Sequence, residues 1–166
     1  MPVMTAQALQ TRIATAADEA EVLAMMRAFY AEDRIDFVED RARRAFRLIV
    51  ADDACGAILL FVDPAAQAPA PGGASGTTAG YAVVTLGFSL EFGGPFALLD
   101  ELYLCDAARG RGWGRCALDL TKTWARQRGV LALRLEVHHH NPRAKSIYTK
   151  AGFRDDHRDM LTVWLE

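Results

Sequence analysis

The sequence predicts an α+β fold in which helices flank a mixed, mostly antiparallel sheet, arranged as an α/β/α sandwich. Two long strands, about 79–92 and 96–105, are separated by Gly93-Gly94-Pro95, a pattern typical of an antiparallel hairpin. After residue 105 the pattern changes to helix, strand, helix and strand. The chain has 166 residues, of which 51% are hydrophobic and 24% charged, and this suits a single soluble domain over 1–166.

The first part of the chain predicts a short strand, two helices and a second strand. Thr15 and Asp18 form a capping box, and apolar residues then recur at helical spacing, so a helix is expected over about 16–32. A second helix is expected over about 38–51. The apolar run Ala57 to Val62 predicts a strand that is buried on both faces.

A low-complexity stretch of Ala, Pro, Gly, Ser and Thr occupies about 64–79. It lacks the apolar residues to bury a face, which indicates a flexible loop that connects two strands.

The last third of the chain predicts two strand and helix pairs. A helix from Trp113 ends at Gly129, and a strand follows from Leu131 to Val137. Asn141 followed by Pro142 is typical of a helix N-terminus. A closing strand is expected over about 158–165.

Composition disfavours several classes of protein. The three cysteines fit neither a disulfide framework nor a zinc-ribbon spacing, so a reducing compartment, the cytoplasm, is expected. Met1 to Gln10 does not resemble a signal peptide, and no apolar run is long enough to cross a membrane. A net charge of −2 argues against a dedicated nucleic-acid binder.

The segment Arg109-Gly110-Arg111-Gly112-Trp113-Gly114-Arg115 lies between a predicted strand and a predicted helix. Its glycines allow a ligand to approach the backbone, and a helix N-terminus carries a partial positive charge of about +0.5. The window has three arginines and no acid. The segment therefore predicts a phosphate site, whereas the structural alternative is a glycine-rich turn with solvated arginines.

The glycine-rich segment is not a Walker A loop, because no Gly-Lys-Ser/Thr follows. Gly112 to Ala117 fits the dinucleotide pattern G-x-G-x-x-A, and Glu136 follows at a suitable distance. Little chain is left for a Rossmann half, so a nucleotide-binding oxidoreductase is the weaker alternative.

The same residues resemble the GNAT superfamily of acetyl-CoA-dependent N-acetyltransferases. The resemblance rests on the motif R-x-x-G-x-G/A at Arg109, Gly112 and Gly114, on Asn141-x-x-Ala144-x-x-Ile147-Tyr148, and on Gly152-Phe153. It implies that acetyl-CoA is the donor and that its pantetheine lies between the fourth and fifth strands, next to Leu102 and Leu104. It also implies that the loop Arg109 to Arg115, including Gly110, Arg111 and Trp113, holds the pyrophosphate. Asp106 departs from the family pattern, in which proline is frequent at that position.

The resemblance also assigns catalytic roles. Tyr148 would protonate the coenzyme A thiolate, and Asn141 and Ala144 would contact the donor. An amine with a pKa of about 10.4 loses its proton at pH 7 at a cost of about 4.6 kcal/mol, so a base should help. Glu101 near the end of its strand is the first candidate base and Glu91 on the preceding strand is the second.

The acceptor is predicted only as an amine of a small molecule, peptide or protein, and dimerisation, common in this family, is a further possibility. Scattered acids could favour a cationic amine, or could simply be surface residues. A protein that binds coenzyme A without catalysis is the main alternative function. His138 to His140 could suggest a metal and Cys105 or Cys116 a nucleophile, but no third metal ligand is marked and Cys116 falls on an apolar helix face.

Overall fold

The computed structural model describes residues 9–66 and 76–165. Residues 67–75, the centre of the predicted loop, and residues 1–8 lie outside the described part. The chain forms two compact units that divide after Leu135. The strands are β1 (Gln10–Ile13), β2 (Gly56–Asp63), β3 (Thr77–Ser89), β4 (Gly94–Leu104) and β5 (Leu133–Leu135), and the helices are α1 (Glu19–Asp33), α2 (Glu39–Ala51), α3 (Trp113–Gln127) and α4 (Pro142–Lys150).

The five strands form one mixed, open sheet in the order β1-β2-β3-β4-β5. The first three pairings are antiparallel and the pairing of β4 with β5 is parallel. The predicted fold class is therefore confirmed. The hairpin is confirmed as well, although its turn ends at Gly93, and Gly94 and Pro95 already belong to β4.

One face of the sheet packs against α1 and α2. The capping box is confirmed at the start, where the Asp18 carboxylate accepts a hydrogen bond of 2.7 Å from the backbone N–H of Thr15 and a short 3₁₀ turn leads into α1. The main members of this core are Val22, Met25, Met26, Phe46, Ile58, Leu60, Tyr81 and Tyr103.

The other face packs against α3. Every residue of β2 is buried, as predicted, so Leu59 and Phe61 need a cover on the face that α1 and α2 leave open. Arg111, just before α3, pairs with Asp63 at 3.2 Å, and Arg128, at its end, pairs with Asp53 at 3.3 Å. These ion pairs lie at opposite ends of β2 and place α3 antiparallel to it.

Of the predictions about the last third, one is correct only in part and one is wrong. The strand expected over Leu131 to Val137 is reduced to Leu133–Leu135, because β4 pairs with it only at Ala97, Leu98 and Leu99. The closing strand expected over 158–165 is absent from the described residues, and its apolar side chains are exposed, Trp164 by 82%. An alternating pattern forms a strand only where a neighbour pairs with its backbone.

Candidate active site

The carboxyl-terminal half of β4 has one strand neighbour among the described residues. Pairing with β5 ends at Leu99, whereas pairing with β3 continues to Leu104. The register against β3 shifts between Val83 and Val84, which pair with Glu101 and Leu99, so Asp100 is the extra residue of a β-bulge. Bulges re-aim the side chains beside them. This end of β4 thus presents unpaired backbone on one side, next to the glycine-rich segment.

The glycine-rich segment begins with a 3₁₀ turn over Asp106–Ala108 and ends at the first residue of α3. Gly110 and Gly112 have φ values of 72° and 75°, a left-handed conformation that favours glycine, and a Cβ at either would meet nothing within 4 Å. Gly112 caps α3, whose first turn carries no acid. The first N–H groups of a helix have no partner within it, so this end of α3 suits an anion.

Each loop arginine lies beside a carboxylate from outside the Arg109–Arg115 window. Arg109 pairs with Glu32 at 2.8 Å, and Arg115 pairs with Asp119 at 3.3 Å. Arg111 pairs with Asp63 and lies 3.6 Å above the ring of Trp113. The window itself contains no acidic residue, but folding places acidic residues of α1, β2 and α3 beside its arginines.

Glu101 is held by two tyrosine hydroxyls. Tyr30 on α1 donates to Oε1 and Tyr81 on β3 donates to Oε2, each at 2.6 Å. The contact with Tyr81 follows from register, because Tyr81 pairs with Tyr103 and Glu101 is the diagonal neighbour on the same face. Burial raises the pKa of Glu101, the two hydroxyl donors oppose that rise, and the Asp100 charge adds to it. Burial also raises the pKa of both tyrosines.

Asp100 and Cys105 adjoin this site. Loss of hydration raises the pKa of the Asp100 carboxyl although much of its surface is open to solvent. Burial likewise raises the pKa of the Cys105 thiol, which disfavours the reactive thiolate of a nucleophile.

Glu91 was predicted on the strand that precedes β4, but the structure places it outside any strand. β3 ends at Ser89, and Glu91 is an exposed residue of the hairpin turn. Glu101 follows the start of β4 by seven residues, or about 23 Å of strand. The two candidate bases therefore lie at opposite ends of the hairpin.

The other predicted residues of β4 lie on its open half. Leu102 pairs with Ala82 and Leu104 pairs with Gly80. The carbonyl oxygen of Leu104 accepts a hydrogen bond of 2.9 Å from Nε of Arg109, so the loop folds back onto the strand that precedes it.

The unit after Leu135 contains the remaining candidates. Asn141 is the predicted N-cap, since its side-chain oxygen accepts a hydrogen bond of 3.0 Å from the backbone N–H of Ala144. Tyr148 is half-buried, and its ring lies 5.9 Å from that of Phe153. Their roles toward a donor stay predictions.

Three functional candidates were not found from sequence, namely Tyr30, Tyr81 and Glu32. In the sequence, Tyr30 lies within the predicted helix over about 16–32 and Tyr81 within the predicted strand over about 79–92, where each fits the local pattern. The partner of each lies at a distant position in the chain, for example 71 residues away for Tyr30 and Glu101. No local pattern marks such a pair.

In residues 9–66 and 76–165, no three His, Cys, Asp or Glu side chains group as for a metal ion, and none of the helices in these ranges is both long and apolar enough to cross a bilayer. A cavity of about 280 Å³ between β1, β2, α2 and the end of α3 is lined by residues such as Ile49, Trp124 and Arg128, and by none of the predicted site residues.

Comparison with known proteins agrees with this geometry. The model of the Acetyltransferase (GNAT) family matches residues 23–153. The "Uncharacterized N-acetyltransferase YhfO" of Bacillus subtilis (strain 168) is 36% identical over 59 residues, which are 36% of this chain and 40% of that protein. The matched segment thus spans well under two thirds of that relative.

Solved structures are similar over nearly the whole chain. An integron cassette protein from the mobile metagenome of Cole Harbour Salt Marsh has 30% identity and a TM-score of 0.77, with 95% of this chain and 91% of that one covered. A structure described as "a possible acetyltransferase from Clostridium difficile 630" has 14% identity and a TM-score of 0.80, with 96% and 99% covered. At 14% identity, the similarity to this second structure shows a shared fold and nothing more.

Proposed function

Because the chain belongs to the GNAT acetyltransferase family, we propose that it transfers the acetyl group of acetyl-CoA directly to an amine, as a single catalytic domain over residues 1–166. The observation that carries the proposal is the edge of β4 after Leu99, which has no strand partner on that side among the described residues and leads to α3, whose first turn carries no acidic residue. An extended donor with a phosphate group at one end matches that arrangement.

The residues of the loop fit a phosphate. The backbone of Gly110 to Arg115 is open where side chains would stand at Gly110 and Gly112. Gly114 lies inside α3, and a Cβ there would be 4.0 Å from Leu104 Cδ1, an ordinary contact. Packing therefore does not require glycine at 114, and close approach of a ligand explains it better.

Leu102 and Leu104 would contact the pantetheine arm, together with Asn141 and Ala144. Acetyl-CoA supplies an activated thioester carbonyl. The backbone at Leu104 would stabilise negative charge on the carbonyl oxygen as the amine nitrogen forms its bond to carbon.

Glu101 is the proposed base. It would take one proton from the ammonium group, directly or through a water, before nitrogen attacks the carbonyl carbon. Its raised pKa suits this role, because a base works best with a pKa near the working pH. Tyr148 would give its proton to the departing sulfur when the carbon–sulfur bond breaks. The nitrogen would lose its second proton to solvent, and solvent would return a proton to Tyr148.

Calorimetry with acetyl-CoA and, separately, with NADH tests the donor. We expect saturable binding of acetyl-CoA and none of NADH. Binding of NADH alone would overturn the proposal and favour the oxidoreductase, and Glu136 would then be the residue to change.

Thiol release with a panel of amines tests the reaction. Turnover with at least one amine is expected, and binding of acetyl-CoA without turnover on any would favour the non-catalytic alternative. In Tyr148→Phe we expect a lower rate at saturating substrates. An unchanged rate from pH 6 to pH 9 would contradict the acid role of Tyr148.

A further inference from the structure

Arg109 contacts three different parts of the fold. Its Nη2 lies 2.8 Å from both carboxylate oxygens of Glu32, and its Nε donates to the carbonyl oxygen of Leu104 at 2.9 Å. Its Nη1 lies 3.1 Å from Asp106, and its guanidinium is 5.4 Å from the ring centre of Tyr103. All three of its nitrogens are therefore engaged by α1, by β4 and by the loop itself.

Arg111 and Arg115 face solvent more freely. Their side chains are 49% and 61% exposed, against 43% for Arg109, and they pair with Asp63 and Asp119 at 3.2 and 3.3 Å. These pairs are longer than the two contacts of 2.8 Å between Arg109 and Glu32, so we expect Arg111 and Arg115 to exchange a carboxylate for a phosphate more readily than Arg109.

The carboxylate partner of Arg109 is placed by α1. Glu32 follows Tyr30 by two residues, and Tyr30 donates to Glu101. The last turns of α1 are thus joined to β4 through Tyr30 and to the glycine-rich loop through Glu32. A displacement of α1 would therefore move contacts of both the proposed base and the proposed phosphate site.

We propose that Arg109 is a positioning residue, which, through Glu32 and the Leu104 carbonyl, holds the glycine-rich loop in the conformation that binds the donor, while Arg111 and Arg115 meet its phosphates. This inference rests on the proposed function for the identity of the donor. The alternative is that Arg109 is itself a phosphate ligand and that Glu32 competes with the phosphate for it.

The two alternatives predict opposite effects for Glu32→Gln. If Glu32 holds Arg109 in place, the variant binds coenzyme A up to about fivefold more weakly, the upper size expected for an exposed ion pair. If Glu32 competes with phosphate, the variant binds more tightly. Asp33→Asn is the matched control, because it removes an exposed carboxylate from the next residue of α1.

Arg109→Lys separates geometry from charge. Lysine keeps the positive charge but cannot reach Glu32, Leu104 and Asp106 at once, so we expect it to bind coenzyme A as weakly as Arg109→Gln. The double variant Glu32→Gln with Arg109→Gln should be no weaker than the weaker single variant. The slope of log affinity against log salt should be unchanged in Glu32→Gln and smaller in Arg111→Gln.

Hydrogen exchange of residues 109–115 tests the positioning role without any ligand. We expect faster exchange in Glu32→Gln and Arg109→Lys than in the wild type and Asp33→Asn. Tighter binding by Glu32→Gln, rescue of affinity by lysine, additive losses in the double variant, or unchanged exchange would each overturn the inference. A wild type that binds no coenzyme A, yet shows the expected exchange, would instead refute the proposed function alone.

Discussion

Two carboxylates in the unit that ends at Leu135 are held by hydrogen bonds, but their pKa values are shifted in opposite directions. Asp18 is 1% exposed and accepts two hydrogen bonds from Arg12, at 2.9 and 2.7 Å, which lower its pKa. Glu101 is held by two neutral hydroxyls, and burial raises its pKa. A carboxylate paired with a cation serves stability, whereas one held by hydroxyls keeps an affinity for protons that a base can use.

The largest effect is expected at Asp18. Asp18→Asn leaves Arg12 without its charged partner, and we expect the free energy of unfolding to fall by about 3 kcal/mol. Urea denaturation at pH 7 measures it, with Asp33→Asn as the control on an exposed carboxylate. A loss below about 1 kcal/mol would remove the contrast with Glu101.

The pH dependence of stability sharpens the same comparison. The pKa of Asp18 is lowered by folding, so its contribution is complete above the unfolded value of about 3.9 and is lost as the pH falls through the folded value. The pKa of Glu101 is raised, so its contribution is complete below its unfolded value and is lost as the pH rises through the folded value. The free energy of unfolding of each variant, plotted against pH, measures these contributions. The loss at low pH should be missing in Asp18→Asn, and the loss with rising pH should be missing in Glu101→Gln.

For catalysis, Glu101 should matter more than Asp18. Glu101→Gln removes the proposed base but keeps the shape of the side chain, and we expect kcat to fall by about 100-fold or more while stability at pH 7 stays the same or rises. Thiol release and thermal unfolding measure the two effects. Glu91→Gln, in the turn, should keep nearly full activity, and equal losses in the two variants would argue against Glu101 as the base.

The smallest effect concerns two glycines of the Arg109–Arg115 segment. One of them should matter for stability and the other for donor binding. Gly112→Ala places a side chain at a φ of 75° and should cost about 1 to 2 kcal/mol of stability. Gly114→Ala lies inside α3 and should keep stability or raise it by up to about 1 kcal/mol, yet weaken donor binding. Denaturation and calorimetry on both variants test this, and normal binding by Gly114→Ala would show that no ligand approaches there.

Much of the fold could be predicted from local patterns. The capping box before α1, the buried run of β2, the glycine turn of the hairpin and the Asn141 cap of α4 depend on residues a few positions apart, and the structure confirms each. The closing strand was wrong because a strand also needs a distant neighbour, which an alternating pattern does not reveal.

The sequence by itself determined the order of elements up to α4, the glycine-rich loop at the start of α3 and the resemblance to acetyltransferases. The tertiary structure alone decided the bulge at Asp100, the two tyrosines on Glu101 and the partner of Arg109. The physical reason is distance along the chain, since Arg109 and Glu32 are 77 residues apart. Backbone preferences act between near neighbours, whereas the charge and hydration of a side chain depend on whatever folding places beside it.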